Sequence, residues 1–239
     1  MPNSQQPEQK TANLHQGFHD SVHDSQQVFR QLLKAMSEPG TIQHTNFLEN
    51  VSMRIDNGFY QTSYATALSL LDGNCKVGLS AQLDDLITRN SLSFHCACSL
   101  VDISDEHDES NESATSKIDF LFLNAQEWQR LLTHPSLSVG DLSYPEKSTT
   151  IIVQVAAIEQ TAMTSNSSEQ TGLVLMGPGI EHQRHLFIEG FTETLLSSLQ
   201  QNQTLFPLGY DFILTAPDAL VALPRTCRIE LISDDHNKR

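Results

Sequence analysis

Four groups of residues in this 239-residue chain have types and spacings suited to chemistry. Gly177-Pro178-Gly179-Ile180-Glu181 follows an apolar run, Leu173 to Met176, and precedes a stretch, Glu181 to Gln200, that reads as mostly helical with Gly190 as a weak point. A glycine turn between strand and helix is where phosphates bind, because a helix N-terminus offers unpaired N–H groups to an anion. A dinucleotide fingerprint would need glycine at position 182, which is His182; no Gly-Lys-Ser/Thr follows, and Pro178 removes a donor. A structural turn is the simpler expectation. His95-Cys96-Ala97-Cys98 places two thiols two residues apart, on one side of a strand. Zinc and iron–sulfur sites want two intervening residues and a second ligand pair, for which Cys227 is the distant candidate. Buried core thiols fit better. His15, His19 and His23 recur every four residues, as surface polarity or an opportunistic metal face.

The cations form the fourth group. Arg30 and Lys34 share a helix face, and Arg225 follows Leu223-Pro224. The chain has only 14 Lys and Arg, so these three, with the loop at Gly177 and Gly179, are the candidates for contact with a phosphate or ligand. The plainer alternative leaves Arg30 and Lys34 solvated and pairs Arg225 with a carboxylate. No Ser-His-Asp order, carboxylate pair or metal-ligating helix stands out, so no catalytic and no metal residue is assigned.

The elements that must position these residues alternate between strands and helices. Val28, Phe29, Leu32, Leu33 and Met36 predict a helix from Ser25, capped by Asp24 or Ser25 and stopped by Pro39-Gly40. Further helices are expected over Tyr64 to Leu71, Leu83 to Asn90 and Gln126 to Leu132. Strands are expected over Cys75 to Leu79, Leu92 to Cys98, Ile118 to Leu123, Ile151 to Ala157, Leu173 to Met176, Asp211 to Thr215, Leu220 to Ala222 and Arg228 to Ile232. The class is α/β, a mixed β-sheet flanked by helices. Residues 1–24 read as a polar, disordered tail, 25–233 as a single domain with polar inserts at 102–117 and 159–172, and 234–239 as a second polar tail.

Net charge is -15, with a pI of about 4.9. Such a chain repels phosphate backbones and anionic lipid, so no nucleic acid and no membrane is expected as a partner. The N-terminus lacks a signal-peptide layout and no apolar run approaches a membrane span, so a cytoplasmic location is expected, and with it no structural disulfide among the four cysteines.

Ordered segments then add a resemblance. Phe29 to Gly40 (FRQLLKAMSEPG), Gly177-Pro178-Gly179-Ile180, and Phe206-Pro207-Leu208-Gly209-Tyr210-Asp211 followed by Leu223-Pro224-Arg225-Thr226 together resemble PhnH, the H subunit of the carbon-phosphorus lyase system. Tyr144-Pro145-Glu146 fits the same pattern, and the resemblance covers residues 25–232. The long polar tail and the two inserts depart from it. The resemblance implies a homodimeric subunit that joins the G, I and J subunits of the carbon-phosphorus lyase core complex. It implies a role, with the G, I and L proteins, in forming a ribose 1-phosphonate 5-triphosphate from ATP and a phosphonate, with loss of adenine. It further implies the fold of pyridoxal-phosphate-dependent transferases without that cofactor. The lysines are Lys10, Lys34, Lys76, Lys117, Lys147 and Lys238; only Lys76, at a strand start, is conceivable for a Schiff base, and no recognisable phosphate cup lies near it, in keeping with a fold retained and a cofactor lost. The expected role is structural or assembly. The alternative is a ligand-binding subunit that lends a phosphate-contacting arginine to a shared active site.

Overall fold

Apolar stripes on helices and runs in strands build two cores around one sheet. The computed structural model describes residues 14–50, 58–103, 117–162 and 170–232; most of the acidic insert, and part of the second, lie outside them. α1 (His23–Ser37) buries Val28, Leu32 and Ala35. Phe29 and Leu33, expected on that face, are 44% and 54% exposed; each lies roughly 100° round the helix from its buried neighbour. The helix begins before Ser25, because the Asp20 carboxylate accepts from the amides of Val22 and His23 at 3.1 and 3.0 Å.

β1 (Gln43–His44), α2 (Gln61–Leu70), β2 (Lys76–Leu79), α3 (Leu86–Cys96), β3 (Ser99–Val101), β4 (Phe120–Asn124), α4 (Trp128–Leu131) and β5 (Thr150–Gln154) follow. Then come β6 (Ala157–Glu159), β7 (Gln170–Met176), β8 (Arg184–Glu189), α5 (Glu193–Asn202), β9 (Asp211–Thr215), β10 (Ala219–Leu223) and β11 (Arg228–Leu231). Seven strands form a mixed sheet in the order β1-β10-β9-β5-β4-β2-β3. From β3 to β9 every pairing is parallel; β10 turns back through a tight hairpin at Pro217-Asp218. Side chains alternate between its faces as the pleat requires. Leu121, Leu123, Ile151, Val153, Phe212 and Leu214 enter one core. Phe122, Ile152 and Ile213 enter the other, against α1, α2 and α3.

The class is α/β, with the expected mixed sheet flanked by helices, and the first core adds a correction in detail. It is closed chiefly by a second, four-stranded antiparallel sheet, β11-β7-β8-β6, with α4 and α5 beside it. Residues 184–189 of the helix expected over Glu181 to Gln200 are instead the strand β8. His185, Leu186, Phe187 and Ile188 alternate exposed, buried, half-buried and buried, a period of two, and Gly190 ends the run at φ +78°. The opposite error occurs at Leu92 to Cys98: α3 continues to Cys96, stops at Ala97 in left-handed geometry (φ 56°), and only then enters β3. Asp85 caps α3 through the amides of Ile87 and Thr88. The last three residues of the second insert, Gln170 to Gly172, pair in β7.

The tail expectation meets a different finding at residues 14–22. His15 is 5% exposed, its amide donates to Ser91 Oγ at 2.7 Å, and its ring meets Thr88 Oγ1 at 3.2 Å, all on α3. Residues 1–13 and 233–239 are outside the described set. The one tryptophan, Trp128, is fully buried; it donates to Ser198 of α5 at 2.8 Å and meets Phe212 of β9 edge to face.

The turn at Gly177 joins β7 to β8, so the expected helix N-terminus is absent there. Ile180 N donates to Gly177 O at 3.1 Å, with Pro178 and Gly179 (φ +81°) in the middle, the arrangement of a type II turn. A Cβ on Gly179 would overlap Ser37 O at the end of α1. Arg184 anchors the same joint, donating to the Glu38 and Pro39 carbonyls at 3.0 and 2.5 Å and to Thr41 Oγ1 at 2.6 Å. Gly179→Ala should therefore cost at least about 2 kcal/mol in urea unfolding, since it adds a clash to left-handed strain. Gly58→Ala, at φ +82° with open space around its Cβ, should cost about 1 kcal/mol; equal losses would refute this account of the joint.

Candidate functional site

Arg225 is the meeting point of the segments that stood out in the sequence. Its guanidinium donates to Asp211 from Nε at 3.2 Å and from Nη2 at 2.5 Å, to Pro145 O from Nη1 at 2.7 Å, and to Ser148 Oγ at 2.5 Å. Its own amide also donates to Asp211, at 2.8 Å. The side chains are 11% and 19% exposed. Of five N–H donors in a guanidinium, these bonds occupy all but one. The pairing with a carboxylate, one of the two readings of this residue, is thus present. The other segments close around it. Gly177 lies so near the segment leading into β11 that a Cβ would stand 2.9 Å from Thr226 O. Asn202 of α5 brackets Tyr210, accepting from its amide at 2.7 Å and donating to its carbonyl at 2.8 Å. Gly209 N reaches Val139 O at 2.9 Å.

Large apolar side chains are exposed on the segments that meet at this joint. Phe206 is 62% exposed, Tyr144 50% and Leu142 78%. A cavity of about 350 Å³ is lined by Pro178, Phe206, Arg225, Cys227 and Arg228, among others. Gly177 and Gly179 flank Pro178 in the turn at its edge. Arg30 and Lys34 do not join this lining; both are exposed on α1, and Arg30 bonds Gln26 at 3.3 Å.

A second constellation lies at the carboxyl ends of the parallel strands. Asn124 ends β4 and Gln154 ends β5, and their side chains run on in a chain: Gln154 Nε2 donates to Asn124 Oδ1 at 2.7 Å, and Asn124 Nδ2 to Gln82 Oε1 at 2.7 Å. Gln154 Oε1 accepts from Tyr60 N at 2.6 Å. Ser80, just past β2, donates to Glu127 Oε2, and Gln82 N donates to Glu127 Oε1 at 3.1 Å. Sequence reasoning missed all of these. The signal was present, since the apolar runs of β4, β5 and β9 each end on one polar residue, Asn124, Gln154 and Thr215. Beside Glu127 lies a cavity of about 270 Å³. Lys76 is at the other, amino, end of β2, with its side chain exposed.

The thiols do not gather a metal set. Among the described residues no group of three His, Cys, Asp or Glu is placed to hold one. Burial pushes the Cys96 thiol up to about 12 and Cys227 up to about 11; Cys98 is raised for the same reason. No helix among the described residues is long and apolar enough to cross a membrane.

A fold with a mixed seven-stranded sheet backed by a small antiparallel sheet, tied at one arginine, is the framework on which the comparisons with known proteins fall. A family model described as bacterial phosphonate metabolism protein (PhnH) matches residues 16–230, and the chain belongs to that family. It is 28% identical over 213 residues to the alpha-D-ribose 1-methylphosphonate 5-triphosphate synthase subunit PhnH of Rhizobium meliloti (strain 1021), covering 89% of this chain and 94% of that protein. A shorter match, 32% over 93 residues, joins it to HtxG of Stutzerimonas stutzeri, which bears the name of a putative C-P lyase subunit protein; it covers 39% of this chain and 43% of that one.

Two predictions come from these geometries. Arg225→Ala strands a mostly buried Asp211 and should lose about 3–5 kcal/mol of stability, with Arg225→Lys recovering only part of it; unchanged chemical denaturation would refute the clamp. Burial raises all four thiols, Cys75 included, so access rather than thiolate fraction sets their order of reaction at pH 8. N-ethylmaleimide should accordingly label half-exposed Cys75 first, and Cys96, Cys98 and Cys227 only on unfolding, as read by peptide mass mapping.

Proposed function

We propose that the chain acts as a subunit of a carbon-phosphorus lyase core complex, and that its own part is structural or in assembly. Family membership and the synthase to which the Rhizobium meliloti relative belongs support the setting: formation of a ribose 1-phosphonate 5-triphosphate from ATP and a phosphonate, in company with the G, I and L proteins. The observation that carries the structural reading is the clamp at Arg225. Residues that carry the family resemblance bond to one another there, while Phe206, Tyr144 and Leu142 stand exposed around them. Large apolar side chains left exposed on a charged protein favour a protein neighbour. On this reading the chain is a cytoplasmic homodimer that docks the G, I and J subunits and needs no cofactor of its own. The largely parallel seven-stranded sheet supports kinship with pyridoxal-phosphate-dependent transferases. Lys76, at the amino end of β2, is far from the strand ends where ligands of such sheets bind.

A second reading makes the chain a ligand-binding subunit. Its support is the cavity beside Arg225 and exposed Arg228, with the turn at Gly177 and Gly179 at the edge. Arg30 and Lys34 would add charge only from a separate surface.

Co-expression with tagged G, I and J partners separates these readings. The wild-type chain should co-purify with them, and Phe206→Asp should reduce recovery about ten-fold or more while melting at an unchanged temperature, with ATP and methylphosphonate turnover falling in parallel. A fully active complex formed without this chain would overturn the structural reading. Heat released by ATP or methylphosphonate on the isolated chain, abolished by Arg228→Ala, would favour the second.

A further inference from the structure

The cavity beside Glu127 occupies a defined place in the sheet topology. After β2 the chain passes through α3, whose Leu92 packs into the core on one face, and returns in β3 at the sheet edge. It then crosses back to β4 on the far side of β2, and leaves through α4, whose Trp128 and Leu131 pack into the core on the opposite face. Loops from two adjacent parallel strands therefore diverge to opposite faces at their carboxyl ends. In open α/β sheets such a switch point leaves a crevice, and ligands bind in it. The cavity of about 270 Å³ is this crevice: Leu79, Ala81 and Asp84 come from the β2 side, Ile103 follows β3, and Glu127, Arg130 and Leu131 follow β4.

The lining has a simple chemistry. Leu79, Ile103 and Leu131 are nearly fully buried and give apolar walls. Asp84 is held on both oxygens by Arg89, at 2.5 and 2.7 Å. Arg130 stands exposed at the rim. Glu127 is different. It is only 7% exposed, yet lines the cavity, and both its oxygens accept from neutral donors, Ser80 Oγ and Gln82 N. Each carboxylate oxygen retains a lone pair after one such bond. A buried carboxylate with neutral partners is best completed by a cation.

We infer that this switch-point crevice is a binding site for a small organic cation, an amine or amidine on a short apolar body, with Glu127 as its counter-ion. Size agrees, since the volume is just below the roughly 300–1,000 Å³ that encloses drug-sized ligands. One ring or a short branched chain fills it, with the apolar part against Ile103 and Leu131 and the charged nitrogen at Glu127. Hydrogen bonds from Ser80 and Gln82 hold the carboxylate in place before the ligand arrives.

Benzamidine, as a planar amidine on one ring, and benzoate, as its anionic counterpart, are the probes. Titrated into the full chain under amide-resolved NMR, benzamidine should shift Ala81, Gln82 and Glu127 first, and should raise the melting temperature in calorimetry; benzoate should do neither. Glu127→Gln, which keeps the shape, should weaken benzamidine at least ten-fold. Ala81→Trp, which leaves the Ser80–Glu127–Gln82 contacts intact and fills the mouth, should abolish the shifts and serves alone if the first variant does not fold. No response in the wild type, equal binding by Glu127→Gln, shifts that persist in Ala81→Trp, or a preference for benzoate would each overturn the assignment.

Discussion

The ion pair between Arg225 and Asp211 holds together stretches that the chain keeps far apart. Asp211 opens β9 in the large sheet; Arg225 stands between β10 and β11, where the chain leaves that sheet for the small one; Pro145 and Ser148 lead into β5. A guanidinium suits this place because its donors lie in one plane and point apart, so a single side chain can face a carboxylate, a carbonyl and a hydroxyl together. Burial makes the pair exacting rather than generous. Its net contribution over an apolar replacement is small, while the loss of one partner is costly, so it specifies the joint more than it strengthens it.

The same constraint explains why small residues surround the joint. Two sheets and the end of α1 converge at the β7–β8 turn, and backbone must approach backbone there. Gly177 faces Thr226 and Gly179 faces Ser37, both without room for a Cβ and both at positive φ. A glycine-rich segment between apolar runs can mark a phosphate loop or a crowded crossing. The next element along the chain decides between them: a helix would turn its free N–H groups on an anion, and here the element is the strand β8.

Much of the large sheet was legible because its strands are buried on both faces and therefore read as unbroken apolar runs, as in Phe120 to Leu123 and Ile151 to Val153. The second sheet was not, since β8 mixes Arg184 and His185 with Leu186 and Ile188, and a six-residue alternation within a longer polar stretch also satisfies a helical count. Phe29 and Leu33 misled for a related reason: spacing marks a stripe but not how wide a stripe the neighbouring sheet will cover. Arg225 was visible as an isolated cation after Leu223-Pro224, and its carboxylate partner was conceivable, but the choice of Asp211 depends on strand register that only folding supplies. Glu127, in a segment expected to be helical, carried no spacing signal at all.

Trp128 gives this architecture an optical property. Its indole is sealed between α5 and β9, with Tyr210 and Phe212 as edge-on neighbours and a single hydroxyl on its nitrogen. Since it is the one such chromophore in the chain, native emission comes from one dry, rigid environment. Glu127 precedes it directly in sequence, so the light it emits originates one residue from the loop that lines the crevice at the strand ends.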